Sequence, residues 1–284
     1  MKVIHRFVFH MNAAHRAALQ ALDVRVAVGR GLAGEDQATL HSSFEIAEDA
    51  PNWTPVVGLL RQWDADFDYR VSESSLVRTE YSKREMRSAD WLSIAAWHHG
   101  YPQPDGCFEF RSLSYEPTES CDQCGIGLRQ VAPFRMTGEP KWGRRGIMQL
   151  HWIRDEIFVK PEVWAAVFRP ARVLCRPVVN RRGVDLKTVV QLVIEEEASV
   201  VTNGLPTEQC EKCGDVRPNY PNRGFFPMMR GRPSQSMART REHFGSGAQS
   251  YKCLLLCHDL FRAIEDQGVR GAYYRPVMPN PDVA

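Results

Sequence analysis

The first apolar run, Val3-Ile4-His5-Arg6-Phe7-Val8-Phe9, is β-branched and aromatic and predicts a strand over 3–9. Asn12 is placed to cap a helix over 13–22, where Ala14, Ala18, Ala21 and Leu22 form a narrow apolar stripe. Val24, Val26 and Val28 alternate as a second strand, which Gly29-Arg30-Gly31 ends, and a third centres on Phe44-Glu45-Ile46. Thr54-Pro55 predicts a helix start: a hydroxyl accepts an orphan N–H, and proline has no donor to lose there. That helix carries Val56, Val57, Leu59, Leu60 and Trp63. The order β-α-β-β-α predicts a small α/β unit ending near residue 79, without a phosphate loop or nucleophile motif, which reads as a scaffold or docking layer.

Ser82 and Glu85 form a capping box, with Tyr81 and Met86 as its hydrophobic staple. Met86, Ala89, Leu92, Ala95 and Ala96 continue an apolar face. This predicts a helix over 83–97, stopped by Gly100 and Pro102, with His98-His99 at its C-terminus. There a protonated imidazole complements the helix dipole, a ligand or base being the alternative. The domains are expected at 1–104 and 105–284. The segment 126–209 reads as largely β. It holds a strand over 147–152, a short helix opened by Pro161 and stopped by Pro170, and an extended stretch over 171–179. An Asn180-Arg181-Arg182-Gly183 turn leads to a strongly β-branched strand over 188–194. Glu195-Glu196-Glu197 reads as a solvated strand end. A strand over 251–256, a helix over 259–267 closed by Gly268, and an extended 271–277 complete the chain. The class is α+β: a small N-terminal α/β unit, then a β-rich, zinc-ribbon-like domain with a large insertion.

Composition adds limits. The chain has 284 residues, 43% hydrophobic and 25% charged, with a net charge of +2. These values exclude collagen-like and wholly disordered classes. They give no whole-chain field toward nucleic acid or membrane, so any such contact rests on local patches. No apolar run approaches the ~18–20 residues of a membrane span, and His5 and Arg6 interrupt any N-terminal export segment. A cytoplasmic protein is expected, with its eight cysteines reduced.

Cys121-Asp122-Gln123-Cys124-Gly125 and Cys210-Glu211-Lys212-Cys213-Gly214 repeat one motif, C-x-x-C-G. Two intervening residues let both thiolates of a tight turn face one ion, and the glycine supplies a positive φ. Four thiolates make a closed tetrahedral zinc site, structural rather than catalytic. Residues 125–209 separate the halves, where ~15–20 residues are usual, so the ends of a domain-sized insertion must return to the metal. A metal-free or disulfide-bonded set is the alternative. A thioredoxin-like pair is disfavoured, since neither motif opens a helix after a strand. Cys107 and Cys175 read as packing, and Cys253 and Cys257, flanking three leucines in a buried strand, are not counted as ligands.

Residues 217–241 hold Arg217, Arg223, Arg230, Arg232, Arg239 and Arg241, four prolines and no acid. An irregular loop is predicted. Arg230, Arg232, Arg239 and Arg241 are the candidate anchors for an acidic protein partner. Beside Tyr220, Phe225 and Phe226 they suit nucleic acid as the alternative, and a solvated loop is the plain reading. His243 precedes Gly245-Ser246-Gly247, but G-x-S-x-G is absent, so a turn rather than a nucleophile is expected.

The paired C-x-x-C-G motifs, the apolar strand, His258-Asp259-Leu260-Phe261-Arg262-Ala263-Ile264 and the Gly-Val-Arg-Gly-Ala-Tyr-Tyr-Arg-Pro-Val ending together resemble the double-CxxCG motif proteins. These are described mainly from myxobacteria, and several are immunity proteins that neutralise a cognate toxin. The resemblance spans 121–277 and carries over Cys121, Cys124, Cys210 and Cys213. In that family the first motif lies near the chain start; here 120 residues precede it. The resemblance implies a non-enzymatic, zinc-stabilised bacterial protein that binds a protein partner stoichiometrically. The alternative is a nucleic-acid-binding or nucleic-acid-processing protein using 217–241.

Overall fold

A computed structural model describes residues 1–29, 40–99, 110–116 and 119–281. Cys107 lies outside them. The chain forms two compact units, one of residues 1–83 with 222–224, the other of 84–221 with 225–284.

The first unit runs β1 (Lys2–Met11), α1 (Ala13–Ala21), β2 (Ala27–Val28), β3 (Leu40–Ala47), α2 (Trp53–Trp63) and β4 (Leu76–Glu80), with the sheet ordered β2-β3-β1-β4. Every pairing is antiparallel, so the expected α/β unit is an antiparallel sheet with helices added. Asn12 caps α1 as expected, its Oδ1 accepting from the His15 N–H at 2.8 Å. Thr54 does not cap α2: the helix begins at Trp53, and Asn52, at the cap position, donates instead to the Leu22 carbonyl at 2.7 Å. Alternate residues of β1, Phe7, Phe9 and Met11, form a core with Phe44 and Ile46 of β3, Leu19 of α1, and Val56 and Leu60 of α2. Each such buried side chain contributes about 1.5–3 kcal/mol. His5, on the same face, is buried between Ser75 Oγ (2.7 Å) and Glu48 Oε1 (2.8 Å).

In the second unit α3 (Lys83–Ser88) precedes β5 (Trp91–Ala96), β6 (His98–His99), α4 (Phe110–Ser114), β7 (Tyr115–Glu116), β8 (Arg129–Gln130), β9 (Arg135–Met136), β10 (Ile147–Leu150) and β11 (Ile153–Val159). Then come α5 (Pro161–Val163), continued by a π-helical turn, Trp164–Phe168, and β12 (Leu174–Asn180), β13 (Asp185–Val193), β14 (Glu197–Ala198), β15 (Thr207–Gln209) and β16 (Val216–Pro218). The chain closes with β17 (Met237–Phe244), β18 (Tyr251–Cys257), α6 (His258–Asp266) and β19 (Ala272–Pro276). A five-stranded sheet is ordered β14-β17-β18-β5-β19, and a six-stranded one β6-β10-β11-β13-β12-β9. One core lies between them: Leu92 and Ile94, Leu254 and Leu256, Ile157 and Val159, and Leu192 and Ile194 meet Phe261 and Ile264 of α6. The opposite faces are also apolar. Trp91, Cys253 and Leu255 join one further cluster, Phe158, Val178 and Val189 another. Strands buried on both faces carry continuous apolar runs, which is why Cys253 to Cys257 shows no alternation.

The expected helix over 83–97 is half wrong. It starts at Lys83 but ends at Ser88, and β5 follows. Met86, Ala89 and Leu92 fit a helical stripe, but Trp91, Leu92, Ser93 and Ile94 are all buried, on both faces of a strand paired with β18 and β19. Tertiary pairing outweighs the local capping signal. His98-His99 therefore belongs to a strand, parallel to β10, and not to a helix end. The division between units falls at Lys83/Arg84 rather than at 104, because β5 is a central strand of the second unit. Among the described residues no helix is long and apolar enough to cross a membrane.

Candidate metal centre

The two C-x-x-C-G motifs fold alike. Gly125 N–H donates to the Cys121 carbonyl at 2.7 Å, and Gly214 N–H to the Cys210 carbonyl at 2.9 Å. In return Cys121 N–H reaches the Ile126 carbonyl and Cys210 N–H the Asp215 carbonyl, both at 2.9 Å. Gly125 and Gly214 sit at φ +80° and +75°, which only glycine adopts at little cost. Each motif lies between antiparallel strands, the first between β7 and β8, the second between β15 and β16.

The turns bring four thiols together across the 85 intervening residues 125–209. Cys121 and Cys210 sulfurs are 3.9 Å apart, Cys124 and Cys213 3.7 Å, and all four sulfurs lie within 4.8 Å of one another. Four sulfurs at about 2.3 Å from a central tetrahedral ion would be about 3.8 Å apart. The donor set therefore fits a metal ion. Turn N–H groups of Cys124 and Gln123 hold the Cys121 thiol below its ordinary value, and those of Cys213 and Lys212 bring Cys210 down to about 7. Burial pushes Cys124 up to about 12. Four close thiolates repel one another, so a cation must join before all four ionise. Lys212 of one turn binds Asp122 of the other at 2.7 Å.

Two arginines tie the turns to a third. Arg111 donates to the Asp122 carbonyl (3.0 Å) in the first motif and to Ala248 (2.8 Å). Arg217, in β16 beside the second motif, is fully buried and donates to Gln249 (2.7 Å) and Gly247 (3.3 Å), with Glu208 at 3.6 Å. The glycines thus serve a turn, as expected, closed by Gln249 N–H donating to the Ser246 carbonyl at 3.1 Å, and the carbonyls of Gly247, Ala248 and Gln249 receive the arginines that frame both cysteine motifs. No sequence signal marked either arginine for this role.

Gly125 and Gly127 also border a cavity of about 460 Å³ lined by Tyr115, Glu156, Arg239 and His243 among others. Glu156 on β11 is buried, accepting from Gln191 at 2.8 Å, with Arg239 at 3.5 Å. Burial lifts its carboxyl to about 7, and burial drops His243 to about 4. The signs oppose. Folded Glu156 holds its proton longer than the unfolded chain, so this carboxyl weakens the fold as pH rises from 4.5 to about 7. Folded His243 refuses a proton that the unfolded chain accepts, so this imidazole strengthens the fold as pH rises from about 4 to 6.5. Relative to the parent, Glu156→Gln should gain stability as pH rises through the first window, and His243→Gln should lose it through the second. Denaturant melts across pH check both; parallel curves would refute the assignment.

The expected irregular arginine loop is only partly a loop. Arg239 and Arg241 lie in β17. Arg239 is half-buried against Glu156, and Arg241, exposed, has Glu197 at 3.8 Å. Arg223 pairs with Glu48, and Arg217 is internal. The acids absent from 217–241 come from distant segments. The four candidate anchors therefore do not act as one set: Arg230 and Arg232 are exposed, without an acidic partner among the described residues, while Arg239 serves the interior. The acidic triplet is also engaged, Glu196 accepting from the Ser234 and Gln235 N–H groups and Glu197 pairing with Lys252. Comparison with protein-family models, curated proteins and solved structures returns no match to this chain.

Proposed function

We propose that this chain is a zinc-stabilised protein-binding module, with the zinc-ribbon-like centre holding its metal through Cys121, Cys124, Cys210 and Cys213, and that it neutralises a protein partner by stoichiometric capture. The carrying observation is the convergence of four thiols on one point. A four-thiolate ion has no open position for water or substrate, so bound zinc supplies cross-linking rather than catalysis. Resemblance to the double-CxxCG proteins supports a toxin as the partner. The nucleic-acid alternative through 217–241 narrows to Arg230 and Arg232, since Arg217, Arg223, Arg239 and Arg241 face carboxylates of this chain.

The surface around Arg230 and Arg232 suits a partner best. Arg232 borders a cavity of about 100 Å³ lined by apolar Trp91, Met229 and Met278 and by polar Ser88, Asp90 and Asn280, and among the described residues the buried Trp91 Nε1 has no hydrogen-bond partner. An arginine beside a socket that mixes aromatic, apolar and polar groups is a usual composition of an interface anchor. The test is capture of the partner from the native host followed by titration of purified components. One-to-one binding is expected, weakened by about 2 kcal/mol or more in Arg230→Ala/Arg232→Ala and by about 1 kcal/mol or less in Arg241→Ala. Unchanged affinity in the double variant would remove this surface from the proposal.

A further inference from the structure

A second cationic feature of the 84–284 unit lies apart from 217–241 in the sequence. Trp97, Arg144, Arg145, Arg270 and Tyr273 line an open cavity of about 440 Å³, together with Gly271 and Ala272. No acid lines it. Among the described residues none of the three arginines has a salt-bridge partner, whereas most arginines of the former loop do.

The backbone beneath is held tightly. Trp97 N–H donates to the Gly271 carbonyl at 2.7 Å, Gly146 N–H to Arg270 at 2.8 Å, and Arg145 N–H to Trp142 at 3.0 Å. Gly271 sits at φ +111°, and a Cβ there would meet the Ile147 carbonyl oxygen at 2.3 Å. Glycine is required for this crossing, which fixes Arg270 beside the segment carrying Arg144 and Arg145. The Arg145 guanidinium lies 3.7 Å from the centre of the Trp97 ring, a cation–π contact that restrains it. Three like charges brought together without a counter-ion among the described residues repel one another, so the arrangement favours a polyanion. Tyr273, 62% exposed, places a large aromatic face in the same cavity.

We propose that this cavity binds single-stranded nucleic acid, the arginines taking phosphates and Tyr273 stacking a base. Guanidinium forks match phosphate oxygens, and base–aromatic stacking tolerates any sequence. An acidic polypeptide would use the cations but would leave the exposed ring without a role. This site is independent of the protein-binding surface proposed above.

The test is fluorescence anisotropy of the full chain with labelled oligothymidylate over a salt series. Three phosphate contacts predict a slope of log K against log salt of about −2, at about −0.7 per contact for single strands. In Arg144→Ala/Arg270→Ala the slope should fall to about −0.7 and low-salt affinity should drop at least tenfold. Tyr273→Phe should bind like the parent, whereas Tyr273→Ala should lose about 5- to 150-fold with the slope unchanged. Arg230→Ala/Arg232→Ala should leave this binding intact while weakening the protein complex. No binding at low salt, or equal binding by the Arg144/Arg270 variant, would overturn the proposal. Poly-glutamate binding as tightly as the oligonucleotide, with Tyr273→Ala neutral, would overturn it in favour of an acidic polypeptide.

Discussion

Chelation under reducing conditions is expected to lower the melting temperature of this protein by about 10–20 °C. The metal would close a loop of 85 intervening residues. By the chain-entropy relation used for covalent cross-links, closing a loop of that length is worth about 4–5 kcal/mol. In a unit of this size each kcal/mol shifts the midpoint by about 2–4 °C. Elemental analysis should give one zinc per chain, and Cys210→Ser should reproduce the chelated melt while losing the metal. Cys253→Ser is the control: Cys253 is equally buried, but it packs against Trp91 and Leu255 and takes no part in the centre. Its loss should cost stability without costing metal. A melt unmoved by chelation would mean that the four thiols are incidental neighbours.

Arg217→Ala should have the second largest effect, about 3–5 kcal/mol. The side chain has 0% exposure, and its guanidinium binds the Gly247 and Gln249 carbonyls. Alanine leaves a void and orphans those acceptors. Because Arg217 stands in the strand that follows the second cysteine motif, the variant should also release metal to a competing chelator faster than the parent. Lysine cannot span both carbonyls with one ammonium and should recover less than half of the loss. A change within about 0.5 kcal/mol, the range of ordinary surface substitutions, would show that Arg217 is dispensable.

The elements legible in the sequence were those whose signal is local. Asn12 marks a helix start through its own side chain, Gly268 marks a helix stop at φ +61°, and the duplicated C-x-x-C-G marks paired turns with the same internal hydrogen bonds. What depended on distant partners was not legible. Residues 91–96 carry an apolar spacing that suits either a helix or a strand buried on both sides, and only β18 and β19 decide between them. The arginines of 217–241 looked unpaired because their carboxylates, Glu48, Glu156, Glu197 and Glu208, lie outside that window. Arg111 gave no sign of its role, since it acts on backbone carbonyls, which every residue has.

The separation of the two cysteine turns also has a consequence during synthesis. Ribosomes extend a chain by about 5–20 residues per second, so Cys213 follows Cys124 by about 4–18 s. Throughout that interval the nascent chain carries half a ligand set, two thiols with no partner pair, while the strands of the six-stranded sheet in between are still being made. A metal could close the centre only after Cys210 and Cys213 have been made and brought back to Cys121 and Cys124. Uptake of an ion at this centre would therefore be a late event, and a ribosome stalled before residue 210 would display Cys121 and Cys124 as a reactive vicinal dithiol.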